Sequence, residues 1–256
     1  MKIKKPIIIP GPCAAESKEQ IDIAIAEAKK RNVDFLRVNL WKPRTKPGFE
    51  GLEEAGIPFM VEAAKQGVNP GTEVLTPHQA KIVMNTVLAA APTAKVLLWL
   101  GARNQNHFIQ QEIASIVARD RRAFLLVKNQ PWVSEEHWEG IVDHVLAGGI
   151  SQENLIVCHR GFVPTGDNPL HLRNMPDFEM AMRVKTKTNL PMVFDPSHTG
   201  GSVENVFALA KEAGRFALDG VMIEVHHDPK NAITDSKQQV TWEEFDEIVK
   251  LMNLSK

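Results

Sequence analysis

A chain of 256 residues can bury a full core and fits one large α/β domain or two small ones. Apolar residues at 43% and charged residues at 24% are ordinary globular values, and a net charge of −1 excludes general binding to polyanions such as nucleic acid. Two cysteines far apart in sequence, Cys13 and Cys158, exclude a disulfide framework and point to a reducing, cytoplasmic setting. The apolar N-terminal run is too short for a signal peptide, and no window approaches a membrane span.

Short apolar runs alternate with amphipathic stretches along the whole chain. The predicted strands are Ile7–Ile9, Phe35–Trp41, Gly71–Leu75, Val96–Leu100, Phe124–Lys128, Leu155–Cys158, Met192–Asp195 and Val221–Val225. Ser17 with Gln20 predicts a capping box ahead of the first helix, Thr76-Pro77 caps another, and Thr241 with Glu244 opens the last. Gly148-Gly149 and Gly214 fall where helices should stop. Eight strand–helix units without a linker or composition break predict a single (β/α)8 TIM barrel over residues 1–256. A doubly wound open sheet is the alternative architecture.

Barrel enzymes carry their chemistry at the carboxyl ends of the strands. Here those ends read Gly-Pro-Cys13, Arg37 through Thr45, Glu73, Gly-Ala-Arg103, Lys128, His-Arg160, Asp-Pro-Ser-His198 and Glu-Val-His226, with Asp235 in the last loop. The second is the most telling. Arg37, Lys42 and Arg44 crowd one strand end, with Pro43 fixing the backbone between two of the charges, and such a cluster grips phosphate or carboxylate. Cations paired with nearby acids at a strand end are the plainer explanation.

Two constellations follow. Cys13, His198, Glu224 and Asp235 come from units one, seven and eight, which meet if the barrel closes. Thiolate, imidazole and two carboxylates suit a borderline divalent ion: Mn²⁺, Fe²⁺, Co²⁺ or Zn²⁺. Taken singly, the cysteine reads as packing, each acid as a rim ion pair and the histidine as an acid/base group. The second set is cationic: Arg37, Lys42, Arg44, Arg103, Lys128 and Arg160. It calls for two anionic substrates, at least one bearing both carboxylate and phosphate. Glu73 sits among these cations.

The motifs Gly-Pro-Cys-Ala-Ala-Glu-Ser17, Lys-Pro-Arg-Thr45, Gly-Ala-Arg-Asn104, Asp-Pro-Ser-His198, Met-Ile-Glu-Val-His226 and Thr-Asp-Ser-Lys-Gln-Gln239, in this order, resemble the 3-deoxy-D-arabino-heptulosonate 7-phosphate (DAHP) synthases of the type I-beta group. The resemblance covers nearly the whole chain. It implies a (β/α)8 barrel that condenses phosphoenolpyruvate with D-erythrose 4-phosphate at the entrance to the shikimate pathway. Carried over by residue, it implies metal ligation by Cys13, His198, Glu224 and Asp235. It places Arg37, Lys42, Arg103, Lys128, Arg160 and His198 around phosphoenolpyruvate, Glu73 near its reacting end, and Arg44 and Thr45 on the erythrose phosphate. Lys42, Glu73, Lys128 and His198 are the catalytic candidates. A homodimer or tetramer, and a fused or separate chorismate mutase partner, are expected from the resemblance alone. The twelve residues ahead of Cys13 lead us to expect no N-terminal regulatory domain.

The sister family, 3-deoxy-D-manno-octulosonate 8-phosphate synthase, uses arabinose 5-phosphate and typically reads Lys-Ala-Asn-Arg where this chain has Lys-Pro-Arg-Thr45; Pro43 favours the shorter sugar. Two departures from the family pattern stand out: Pro10 ahead of Gly-Pro-Cys, and Val38-Asn39-Leu40 where small residues are usual. Other readings are a non-catalytic barrel that binds a phosphometabolite, which needs no metal ligands, and a metal-dependent pyruvate aldolase, which needs fewer cations. No lysine is isolated in an apolar setting suited to a Schiff base.

Overall fold

The computed structural model describes residues 5–43 and 48–254. In chain order the elements are β1 (Ile7–Gly11), α1 (Lys18–Arg31), β2 (Leu36–Arg37), α2 (Ile57–Lys65), β3 (Pro70–Glu73), α3 (Pro77–Ala90), β4 (Val96–Leu100), α4 (His107–Val117), β5 (Ala123–Lys128) and α5 (Glu135–Ala147). They continue with β6 (Leu155–His159), α6 (Phe178–Thr188), β7 (Met192–Phe194), a short α7 (Pro196–Gly200), α8 (Val203–Ala213), β8 (Gly220–Glu224) and α9 (Trp242–Leu251). All pairings are parallel, in the order β1-β8-β7-β6-β5-β4-β3-β2. β1 lies against β8 from Ile7↔Gly220 to Gly11↔Glu224. The remaining seam is closed by the N–H groups of Asp34 and Phe35, which donate to the Ile8 carbonyl at 3.1 and 3.3 Å. This is the (β/α)8 barrel expected from the alternating pattern.

Both faces of each strand are buried, which is why the strands read as continuous apolar runs. On β4, Leu97 and Trp99 point into the barrel, while Val96, Leu98 and Leu100 pack outward against the helices. The interior plug comprises Ile9, Phe35, Leu97, Trp99, Leu126, Ile156, Cys158, Val193 and Met222. The caps form largely as predicted. Thr76 and Thr241 make full capping boxes with Gln79 and Glu244, and Gly148 and Gly214 terminate α5 and α8. Ser17 accepts from the Gln20 N–H, but the Gln20 side chain reaches back to the Glu16 N–H instead of closing the box.

The second strand is much shorter than its apolar run. Only Leu36–Arg37 stay in the ladder: the Val38 N–H still donates to the Gly71 carbonyl at 2.7 Å, but the Leu40 N–H turns to Thr72 Oγ1 at 2.9 Å, and the Asn39 side chain bonds Cys13 on one side and Glu73 on the other. Among the described residues no helix is long and apolar enough to cross a membrane.

Candidate active site at the carboxyl ends of the strands

Side chains alternate faces along a strand, so the residue two places beyond an inward apolar side chain points up the same face into the barrel mouth. From the plug this step leads from Phe35 to Arg37, Leu126 to Lys128, Val193 to Asp195 and Met222 to Glu224. A cavity of about 300 Å³ opens there, lined by Cys13, Arg37, Asn39, Lys42, Pro43, Glu73, Trp99, Arg103, Lys128, Arg173, His198, Glu224 and Asp235. Five of these residues are fixed cations and three are carboxylic acids, so the wall carries an excess of positive charge.

Cys13, Glu224 and Asp235 each bring a donor atom within 4.8 Å of the others. His198 is not within that distance of all three, but its Nε2 lies 3.4 Å from Glu224 Oε1. Its Nδ1 lies 2.8 Å from Asp195 Oδ2, which assigns the ring proton to Nδ1 and turns the Nε2 lone pair toward Glu224. Burial lowers the His198 pKa, against the pull of Asp195 and Glu224. In its deprotonated form the ring turns a lone pair toward a carboxylate oxygen, an arrangement that a cation would relieve.

The remaining donors fit the same chemistry. Burial opposes ionisation of Glu224, yet His198, Arg37 and Lys42 hold its pKa down at about 2. Asp235 is likewise held below the usual carboxylate range, with Lys42 and then Arg173 outweighing its burial. Burial and the neighbouring Glu224 push the Cys13 thiol well up. Lys42 Nζ contacts Cys13 Sγ and lies 2.9 Å from Asp235 Oδ2, so an ammonium supplies positive charge to the cluster. A cysteine sulfur, two carboxylates and an imidazole form a donor set suited to a borderline divalent ion.

The cation-rich wall is partly committed and partly open. Arg37 is buried; its Nη2 donates to Glu224 Oε1 at 3.1 Å, its Nε donates to the Pro12 carbonyl at 3.3 Å, and its guanidinium lies 5.2 Å from the Trp99 ring centre. Its other amino nitrogen, Nη1, is buried with no hydrogen-bond partner among the described residues. Lys128 Nζ lies 2.7 Å from Asp195 Oδ2, so Asp195 binds Lys128 and His198 at once. His198 and Lys128 overcome the burial of Asp195 and keep it ionised far below its ordinary pKa. Burial raises the pKa of Glu73, against Lys128 and the indole N–H of Trp99 at 3.2 Å.

Of the expected anion-binding residues, Arg37, Lys42, Arg103 and Lys128 line the cavity. Arg103 is exposed, and its Nη1 donates to the Pro43 carbonyl at 3.0 Å. Arg160 does not line the cavity. It stands beside it with Nη1 donating to Asn174 Oδ1 at 3.1 Å, and burial lowers its pKa. Arg44 and Thr45 lie outside the described residues. Three contributors escaped the sequence reading: Asn39, Arg173, whose Nη1 donates to Gln238 Oε1 at 2.9 Å, and Asp195 as the link between Lys128 and His198. One two-residue step from Val193 would have found Asp195, and two such steps from Phe35, through Arg37, would have found Asn39. Arg173 sits in a loop and offers no such signal.

A family model described as the DAHP synthetase I family matches residues 2–255. A phospho-2-dehydro-3-deoxyheptonate aldolase of Thermotoga maritima is 29% identical over 247 residues, covering 96% of this chain and 68% of the relative. A 2-dehydro-3-deoxyphosphooctonate aldolase of Thioalkalivibrio sulfidiphilus is 30% identical over 253 residues, covering 89% of this chain and 81% of the relative. The crystal structure of the Thermotoga maritima DAHP synthase superposes with a TM-score of 0.81 at 28% identity, covering 97% of this chain and 68% of that one. A truncated form of the synthase from the same organism gives 0.79 at 26% identity, with coverages of 97% and 86%.

Proposed function

We propose that this chain, which belongs to the DAHP synthetase I family, joins phosphoenolpyruvate and D-erythrose 4-phosphate, with uptake of water, to give DAHP and inorganic phosphate. The observation that carries the reading is the buried Nη1 of Arg37, without a partner among the described residues, on a cation-rich wall directly beside the Cys13–Glu224–Asp235 donors. A cavity that only captured phosphate would need the cations but not the donors. A lyase acting on an uncharged substrate would need neither Arg37 nor Lys128 buried in its cavity wall.

Arg37 and Lys128 hold phosphoenolpyruvate by its anionic groups, with Arg103 and Arg160 at the rim, and screen its charge from that of the second phosphorylated substrate. A divalent ion of the Mn²⁺, Fe²⁺, Co²⁺ or Zn²⁺ class, held by Cys13, Glu224 and Asp235 with His198 alongside, supplies Lewis-acid polarisation of the aldehyde oxygen when bound. Lys42 remains an ammonium because Cys13, Glu224 and Asp235 offset its burial, and it delivers a proton to that oxygen as the new carbon–carbon bond forms. Water then adds to the second carbon of the former phosphoenolpyruvate, and phosphate leaves by cleavage of the carbon–oxygen bond. Glu73, whose pKa burial raises, orients that water with Lys128. Asp195 fixes the tautomer of His198 and the position of Lys128.

Relatives named 2-dehydro-3-deoxyphosphooctonate aldolase support a second reading, with arabinose 5-phosphate as the aldehyde. Pro43 on the cavity wall favours the shorter sugar. Phosphate release from phosphoenolpyruvate, measured with each aldehyde in turn and with and without Mn²⁺, tests both. Release with erythrose 4-phosphate only in the presence of metal is expected. Preference for arabinose 5-phosphate selects the second reading, and release from neither rejects both.

A further inference from the structure

Asn39 lies on the cavity wall between the ends of β1 and β3 and is 3% exposed. Its Nδ2–H donates to the Cys13 carbonyl at 3.0 Å, and its Oδ1 accepts from the Glu73 N–H at 3.0 Å. Its own carbonyl accepts from the Ala15 N–H at 2.8 Å. One buried amide therefore spans the candidate metal donor on one strand end and the candidate acid/base carboxyl on another. On its far side Cys13 is held by Gln239, whose Oε1 accepts the Cys13 N–H at 3.0 Å, so Asn39 and Gln239 together clamp the main chain that carries the thiol.

The site of this bridge follows from the fold. β2 leaves the ladder after Arg37: the Val38 N–H still donates to the Gly71 carbonyl and the Asn39 carbonyl accepts from Ala15, but the Leu40 N–H turns to the Thr72 hydroxyl and the regular register ends. A side chain with one donor and one acceptor, on the inward face two residues beyond Arg37, restores a bond in each direction. A small residue at this position would leave the Cys13 carbonyl and the Glu73 N–H facing each other across a gap. A buried acceptor and donor would then be unsatisfied, and both strand ends would be free to shift.

We propose that Asn39 is a positioning residue that sets the separation of the Cys13 thiol and the Glu73 carboxyl, so that metal affinity and turnover both depend on an amide that touches neither reacting group. The inference rests on the metal-dependent reading of the site. A residue that only stitched strands together would affect stability and leave metal affinity alone.

The test is Asn39→Leu, which keeps the approximate shape of the amide without its hydrogen bonds, with Asn39→Ser as a second variant should the first fail to fold. Mn²⁺ binding to the full chain is measured without substrates from the electron paramagnetic resonance of free Mn²⁺, alongside thermal melting of the metal-free protein. We expect the Mn²⁺ Kd to rise about tenfold or more. At saturating Mn²⁺, kcat should stay depressed while the KM for phosphoenolpyruvate moves less than about threefold, because the misplaced Glu73 acts after binding. A folded variant with wild-type Mn²⁺ affinity would overturn the inference whatever its melting temperature, as would a wild-type protein with no affinity for Mn²⁺. Failure of the proposed reaction is separable: a wild-type chain that binds Mn²⁺ but turns over neither aldehyde rejects the reaction, and the Mn²⁺ comparison still decides the role of Asn39.

Discussion

Replacing His159 by asparagine should flatten the acid limb of this protein's stability profile. His159 ends β6 but faces outward, fully buried, with its ring stacked on Trp138 at 5.4 Å and close to Phe162 and Phe194. Its Nε2 accepts the Asp177 N–H at 3.0 Å, so the ring is held neutral. Burial, reinforced by the Arg160 charge, lowers its pKa to about 3. The unfolded chain takes up a proton near pH 6.5, whereas the folded chain does not until about pH 3. Above pH 6.5 the group contributes no slope. Between those two values the unfolded state binds one more proton, so stability falls by about 1.4 kcal/mol for each unit of acidification. From pH 7 to pH 5 the loss due to this one ring is about 2 kcal/mol, and it hardly changes if the folded value is anywhere below about 4. Urea unfolding of wild type and His159→Asn at pH 7, 6 and 5 measures the difference directly. The variant is expected to be less stable at pH 7 through lost ring packing, yet to lose about 2 kcal/mol less than wild type on going to pH 5. Parallel curves for the two proteins would refute the reasoning, because other histidines contribute equally to both.

Three further substitutions probe how the mouth is assembled. Asp195→Asn strands the buried Lys128 ammonium and should cost about 3–5 kcal/mol in urea unfolding, most of it recovered in the Asp195→Asn/Lys128→Met double variant; no recovery would mean that Lys128 is not the penalised charge. Gly101→Ala places a Cβ 2.1 Å from Glu73 Oε1, so the carboxyl must move off the Trp99 N–H; turnover should fall by roughly tenfold to a hundredfold with a near-normal circular-dichroism melt. Gly11→Ala sets a Cβ 2.5 Å from the Arg37 carbonyl at a φ of +140°, against backbone that cannot yield, and should lower stability by about 2 kcal/mol or more in thermal unfolding.

Much of this architecture was legible because its determinants are local. Strands such as Val96–Leu100 and Leu155–His159 are buried on both faces and announce themselves as apolar runs, and the Thr76 and Thr241 caps depend on residues three apart. The convergence of Cys13, Glu224 and Asp235 followed from one topological rule, that the first and last strands of a closed barrel are neighbours. The second strand was misjudged for a different reason. Phe35–Trp41 is as apolar as a strand, but whether a segment stays in a ladder depends on what its neighbours offer, and here the Leu40 N–H turns to the Thr72 hydroxyl while the Asn39 side chain takes up Cys13 and Glu73. Apolar content cannot report that exchange.

Charge placement marks the same divide between local and non-local information. Arg37 and Arg160 both follow strand residues and look equivalent as cations in the sequence. Arg37 stays on the inward face of β2, reaches Glu224 and keeps a buried N–H without a partner among the described residues, whereas Arg160 begins a loop and spends one donor on Asn174 fourteen residues on. The distinction lies in partners contributed by distant segments. Asp195 shows the converse. It reads as one residue of a short motif, but because the inward step from Val193 brings it beneath both Lys128 and His198, a single buried carboxylate balances one wall's cation and fixes the other wall's imidazole. The cation-rich wall and the donor cluster are therefore joined through shared ion pairs: Arg37 to Glu224, Lys42 to Asp235, and Lys128 through Asp195 to His198. A change in charge on either wall must shift the protonation balance of the other, which is the physical reason to expect metal and phosphoenolpyruvate to bind to this site interdependently.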